Sequence, residues 1–325
     1  MKFLKKLCAV LLSILASLIL LVLLAWTGLM IAKFVIYNDY MTNRQKEAPI
    51  PALNDGFVPQ GLACTEDGLY VHSGYNGKAM EMHLVQNGEE KQILPHNPDG
   101  SPCEGHGGGV SIAEDFVYVA NEASVIVFRL SDLTEAKNGD EVTATALVPM
   151  DTAASFCFSD GSLLYVGEFF RAVDYEIDES HAYTTPAGDE NRALVSCYQL
   201  NADGSLADTY PLYSISIPHQ VQGFAVKDGV YMISCSWGVN SSELKFYDGI
   251  ADSGRTIDVS GKEVPLYYMD SSTHFKTLKM PAFSEGLDII GDRVYISFES
   301  ACNKYIVGKL FFAYNVTSYP IEDPS

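Results

Sequence analysis

Five short phrases recur along this chain and leave few architectures open. They are Gln60-Gly61-Leu62-Ala63-Cys64, Gly108-Gly109-Val110-Ser111-Ile112, Ala154-Ser155-Phe156-Cys157-Phe158, Gln222-Gly223-Phe224-Ala225-Val226 and Glu285-Gly286-Leu287-Asp288-Ile289. About ten residues after each start comes an aromatic, β-branched partner: Leu69-Tyr70-Val71, Val117-Tyr118-Val119, Leu164-Tyr165-Val166, Val230-Tyr231-Met232 and Val294-Tyr295-Ile296. Acidic or glycine-bearing turns such as Asp67-Gly68 and Asp228-Gly229 separate the two. An apolar alternation, a tight turn and a second alternation make a hairpin. The phrases start 48, 46, 68 and 63 residues apart, the period of propeller blades or solenoid repeats.

Each hairpin is followed by a third strand: Ala79–Val85, Ser124–Leu130, Ala193–Leu200, Glu243–Tyr247 and Lys309–Val316. A fourth is expected over Lys91–Leu94, Val142–Val148, Tyr210–Ile217 and within Val264–Met280, with prolines commonly at its end, as suits an outer strand. Four strands per unit make a propeller blade. The fifth unit lacks a fourth strand, and Ala48–Leu53 is a spare one. The expectation is an all-β, five-bladed propeller over 49–320, closed by its amino-terminal strand. In such a ring the loops entering the inner strands share one face with the loops leaving the second strands. One long insertion on that face, Phe169–Arg192, is placed to overhang the channel; another, 249–272, falls on the opposite face.

The amino terminus is of another kind. Lys2, Lys5 and Lys6 precede 26 uncharged, mostly aliphatic residues, Leu7–Ala32, which Lys33 closes. As a helix this run is about 39 Å long, enough to cross a hydrocarbon layer of about 30 Å. It exceeds the apolar centre of a cleavable signal peptide, and Ala25-Trp26-Thr27 is a poor cleavage site. Residues 1–33 are therefore read as cytoplasmic lysines plus an anchor in the bilayer through 7–32, with the remainder extracytoplasmic. Residues 34–48 are read as a tether and 321–325 as an acidic tail. Beyond residue 33 the chain carries 17 cations against 41 acids, −24, which argues against nucleic acid as a partner. Six of the seven cysteines lie outside the anchor, with no zinc spacing; most sit in strand patterns and read as buried thiols.

Propeller geometry brings the first positions of the five phrases, Gln60, Gly108, Ala154, Gln222 and Glu285, to the channel, with Glu104, Glu122, Glu168 and Glu299 near its mouth. Oxygen donors in a ring suit a hard cation such as Ca²⁺, and they equally hold ordered water. His106 and His219 stand before the inner strands of units two and four, where they could form an acid–base pair or be ordinary loop residues. The glycines around His106 lack a P-loop ending, and there is no nucleophile elbow. Trp237, Phe169 and Tyr75, with Glu104, Glu168 and Arg171, form the expected ligand-binding set on the same face.

The repeats resemble those of membrane-anchored and secreted β-propellers. Val58-Pro59-Gln60-Gly61-Leu62-Ala63 and Ser284-Glu285-Gly286-Leu287-Asp288 look like the phrases of quinoprotein-type, lactonase-type and calcium-activated nucleotidase propellers. The last of these resemblances implies a channel calcium ion near Gln60, Ser155 and Glu285; Gln222 is added to this metal-ligand set by its place among the first positions of the phrases. Two functions follow as expectations: a membrane-tethered module that binds an extracytoplasmic ligand or protein, or a cation-dependent surface hydrolase with its site at the channel mouth. Cofactor and ligand are left unassigned.

Overall fold

The computed structural model describes residues 2–311 and 313–324. Met1, Phe312 and Ser325, which belong to the expected cytoplasmic segment, the expected strand Lys309–Val316 and the expected tail, lie outside the described residues. The chain forms five antiparallel four-stranded blades around a channel. Each blade runs outward from its inner strand: Val58–Cys64, Gly109–Ala113, Ala154–Ser159, Val221–Lys227 and Ser284–Ile290. Apolar side chains fill the gaps between blades, such as Val71, Met82, Val117 and Phe128 between one and two. Tyr118, Leu164, Val166 and Tyr198 do the same between two and three.

Glycines decide how closely the inner strands approach. A Cβ on Gly109 would lie 2.5 Å from the backbone nitrogen of Cys157 in blade three, and one on Gly61 2.5 Å from that of Val110 in blade two. No side chain fits there, which explains the small residue in these phrases better than any anion-binding role.

The amino-terminal strand closes the ring as expected, starting three and ending four residues earlier than its predicted limits. Gln45–Pro49 pairs antiparallel with Asn315–Pro320 as the outer strand of blade five, and the Ile50 N–H donates to Tyr314. Where a tether is expected over 34–48, the chain is folded. The first helix runs to Ile36, and a short helix, Asn38–Asn43, lies against blades four and five. Tyr40 is fully buried there, its ring edge-on to Phe298 and its hydroxyl 2.8 Å from Thr317 Oγ1.

Three other strands differ from expectation. The third strand of blade five starts at Asn315, not Lys309, because residues 299–314 make a loop with a 3₁₀ turn, Gly308–Phe311. The stretch Val142–Val148 divides: Asp140–Thr143 joins the edge of blade one, and Ala146–Pro149 is the outer strand of blade two. The polar insertion 249–272 forms a hairpin, Ala251–Val259 with Lys262–Tyr268, that extends blade three through a parallel pairing.

Among the described residues one helix is long and apolar enough to cross a membrane, Lys5–Ile36; its most apolar 18 residues have a mean hydropathy of 3.1 and none of them is buried against the protein. The seven cysteines are free thiols, five of them buried.

Candidate functional site

Four of the five inner strands are interrupted by a β-bulge near their first residues. The register skips Gln60 in blade one, Ser155 in blade three, Gln222 in blade four, and Glu285 with Gly286 in blade five. A bulge leaves one residue outside the ladder and re-aims its side chain, here toward the axis. Blade two has no such bulge, and Gly108 comes just before its strand. In blade three the residue equivalent to Gln60 is thus Ser155, one position beyond the Ala154 that the sequence alignment of the phrases selects.

These residues form the floor of a cavity of about 500 Å³ at one end of the channel. Glu299, from the end of the neighbouring strand, completes it. Gln60 Nε2 donates to Glu299 at 2.9 Å and Gln222 Nε2 to Glu285 at 3.3 Å. Glu285, Glu299 and Tyr305 line the same floor and act on one another electrostatically. Both carboxyls are nearly inaccessible, 2% and 7% exposed. Burial, and then the charge of Glu299, hold Glu285 well above the usual carboxylate range; burial lifts Glu299 to about 7. Two acids that cannot both ionise share a proton. The floor near neutral pH is therefore an acid–carboxylate pair, fenced by two amide donors.

Aromatic rings make the walls. Phe169 stacks on Trp237 at 6.0 Å between centroids, and Tyr175 stands edge-on to both. Tyr175, Glu176 and Ile177 all line the cavity, so the 169–192 insertion overhangs the mouth. Arg171 backs this wall, its guanidinium 4.0 Å above the Trp237 ring while it pairs with Asp174. On the other side Tyr75 meets His106 edge-on at 4.9 Å, and Phe283 stacks on Tyr305 at 4.7 Å. Lys304 bonds the Tyr75 hydroxyl and lies over the rings of Tyr75 and Tyr305, at 4.9 and 5.2 Å. Phe283 holds φ at +65°, a conformation that costs roughly 1–3 kcal/mol and clusters at functional sites.

The expected site residues part company here. Gln60, Tyr75, His106, Ser155, Phe169, Gln222, Trp237 and Glu285 line the cavity together. His219 is exposed and is not among the lining residues, so it and His106 do not form a pair. Burial and nearby Lys304 lower His106, while burial and nearby Lys245 lower His219. Glu104 is exposed outside the cavity, where its carbonyl accepts from Asn121. Glu168 is buried behind the wall. It accepts His181 Nδ1 at 2.9 and 3.0 Å and the backbone N–H groups of Leu194 and Ala153, and so pins the overhanging insertion to blade three. Burial alone would lower His181, but the Glu168 bond and charge raise it.

Lys304, Tyr305 and the ring of Phe283 were not singled out from the sequence. The available signal was the gap between Phe298 and the next strand of blade five, hidden by the apolar run that reads as a strand from Lys309. For a cation the fit is incomplete: the amides turn their nitrogens to the carboxyls, and Ser155 Oγ donates to Ala153 at 2.7 Å. Among the described residues no three or more His, Cys, Asp or Glu side chains are grouped to hold a metal.

No protein-family model and no curated protein matches the chain in sequence. Solved structures similar to it include the PQQ-bound form of aldose sugar dehydrogenase from Streptomyces coelicolor, at a TM-score of 0.48 and 15% identity over 85% of this chain and 96% of that one. Virginiamycin B lyase from Staphylococcus aureus is another, at 0.35 and 9%, over 86% and 99%. BamB from Moraxella catarrhalis stands at 0.33 and 7%, over 81% and 83%. At these distances nothing of their ligands or activities transfers to this chain.

Proposed function

We propose that the protein is a membrane-tethered binding module whose channel-mouth cavity holds a small organic ligand. The observation that carries this reading is the convergence of bulged polar side chains, Gln60, Gln222 and Glu285, on a floor beneath a ring of aromatic faces. Pockets that are mostly apolar with a few convergent polar groups are the usual form of a ligand site. The floor offers carboxyl oxygens and amides to ligand hydroxyl or ammonium donors. Trp237, Tyr175 and Tyr75 offer aromatic surface to the cavity. A sugar ring matches both, and the ligand class proposed is carbohydrate. The Leu7–Ala32 run is read as an uncleaved anchor, which keeps the amino-terminal lysines in the cytoplasm and the propeller outside.

Trp26 and Trp237 are the two tryptophans, so a Trp26→Phe chain in detergent reports on the cavity alone. Titration with glucose, N-acetylglucosamine and their short oligomers is expected to change Trp237 emission saturably with at least one of them, and Glu299→Gln to weaken that response. Silence across the whole series would sink the carbohydrate assignment.

One observation favours a second reading, a cation-dependent hydrolase: two buried carboxyls face each other with His106 at the rim. Ca²⁺ at about a hundred times its dissociation constant would add about 2.7 kcal/mol of stability. A melting-temperature rise with Ca²⁺ that disappears in Glu285→Gln would support this reading over the first.

A further inference from the structure

Outside the anchor helix, seven of the ten exposed large apolar side chains among the described residues lie in three loops: 169–192, 236–241 and 299–314. These same loops supply Tyr175, Trp237 and Tyr305 to the cavity, so the apolar tips and the mouth share one face. Val173 is 86% exposed, Val239 60% and Ile306 81%. Isolated exposed aliphatics are ordinary on protein surfaces, but their collection on one functional face marks an interaction site.

The anchor helix is fastened to two of these loops. Lys33, the residue that closes the apolar run, donates to the carbonyl of Phe311 in the 299–314 loop. Tyr37, just past the helix, lies 3.1 Å from Ser241 Oγ at the end of the 236–241 loop. If the bilayer surface lies at Lys33, it lies at the height of these loop tips. The charge agrees. In a chain with 41 acids, residues 300–321 contain none, and they carry Lys304 and Lys309 among Tyr305, Ile306, Val307 and Leu310. Aromatic, aliphatic and lysine side chains in one segment are the composition of a membrane interface.

We propose that this face of the propeller rests on the bilayer that holds the anchor helix, with Val173, Val239 and Ile306 set among the lipid headgroups. The cavity then opens onto the membrane surface, not into bulk solvent. This inference rests on the anchor reading of residues 7–32 and is independent of which ligand the cavity takes.

The test uses the full chain in phosphatidylcholine vesicles, with and without lipids brominated near the headgroup end of the acyl chain, which quench tryptophan on contact. Trp237→Phe leaves Trp26 to report on the anchor. In a Trp26→Phe, Trp237→Phe background, Ile306→Trp and Val239→Trp each place one probe at a loop tip, and Leu212→Trp places one on an exposed site outside the three loops. The expected result is loss of most emission from Trp26 and from the probes at 306 and 239, and none from the probe at 212. Quenching of Trp26 with both loop probes as bright as the one at 212 overturns the proposal and leaves the anchor standing. An unquenched Trp26 overturns both. Two loop probes keep the test decisive should one variant fail to fold.

Discussion

At the scale of single residues the floor pair has a measurable signature. Glu285 and Glu299 hold protons in the folded protein that an unfolded chain, with glutamate near about 4.3, has lost. Folded-state values raised above unfolded ones mean stability that is full at low pH and drains away as pH rises through the folded values, here from about 4.3 toward about 7. The slope is at most about 1.4 kcal/mol per pH unit for each proton. Glu285→Gln should flatten the fall in melting temperature between mildly acidic and neutral pH; an unchanged slope would show that the pair does not share a proton. Asp288, raised by burial to about 7 while it accepts the Cys64 N–H at 2.5 Å, acts in the same window, and Asp288→Asn separates its part. Backbone crowding gives a second test. Gly109→Ala drives a methyl to 2.5 Å from Cys157 nitrogen and should cost about 1–3 kcal/mol in urea unfolding. A neutral result would mean that blades two and three can separate freely.

At the scale of elements, the hairpins were legible from a local pattern of period two and the turns from their acidic and glycine residues, whereas the closing strand followed only from the count of four strands per blade, since Gln45–Pro49 itself carries no apolar alternation. What escaped the sequence came from tertiary pairing. The ribbon Ala251–Val259 with Lys262–Tyr268 is polar because it stands largely exposed beyond blade three, so no hydrophobic alternation announces it. The 299–314 loop reads as a strand because it is apolar in sequence, yet Ile306, Val307, Leu310 and Tyr314 stand exposed and make no strand face against a core. Bulges are invisible in a repeat alignment, so the phrases alone point to Ala154, whereas Ser155, the residue to which the resemblance points, is the one turned inward. The helix Asn38–Asn43 escaped for want of a cap: Tyr37 makes no capping bond, and packing of Tyr40 holds the turn instead. Tyr40→Phe removes only the bond to Thr317 and should lower unfolding free energy by about 1 kcal/mol. Tyr40→Ala also removes the ring against Phe298 and should cost about 3–5 kcal/mol. Equal losses would show that the ring contributes nothing to closure.

At the scale of the whole molecule, the ring joins the two ends of the chain, so neither end of the propeller can be completed alone. Gln45–Pro49 leaves the ribosome some 266 residues ahead of Asn315. At about 5–20 residues per second, that strand waits about 13–50 s for the neighbour it will pair with. During that time its unpaired edge is open to other chains, the hazard of any exposed strand. The first strand of the domain to be made is thus among the last to be placed, and a message cut short anywhere before Asn315 yields a chain whose ring cannot shut.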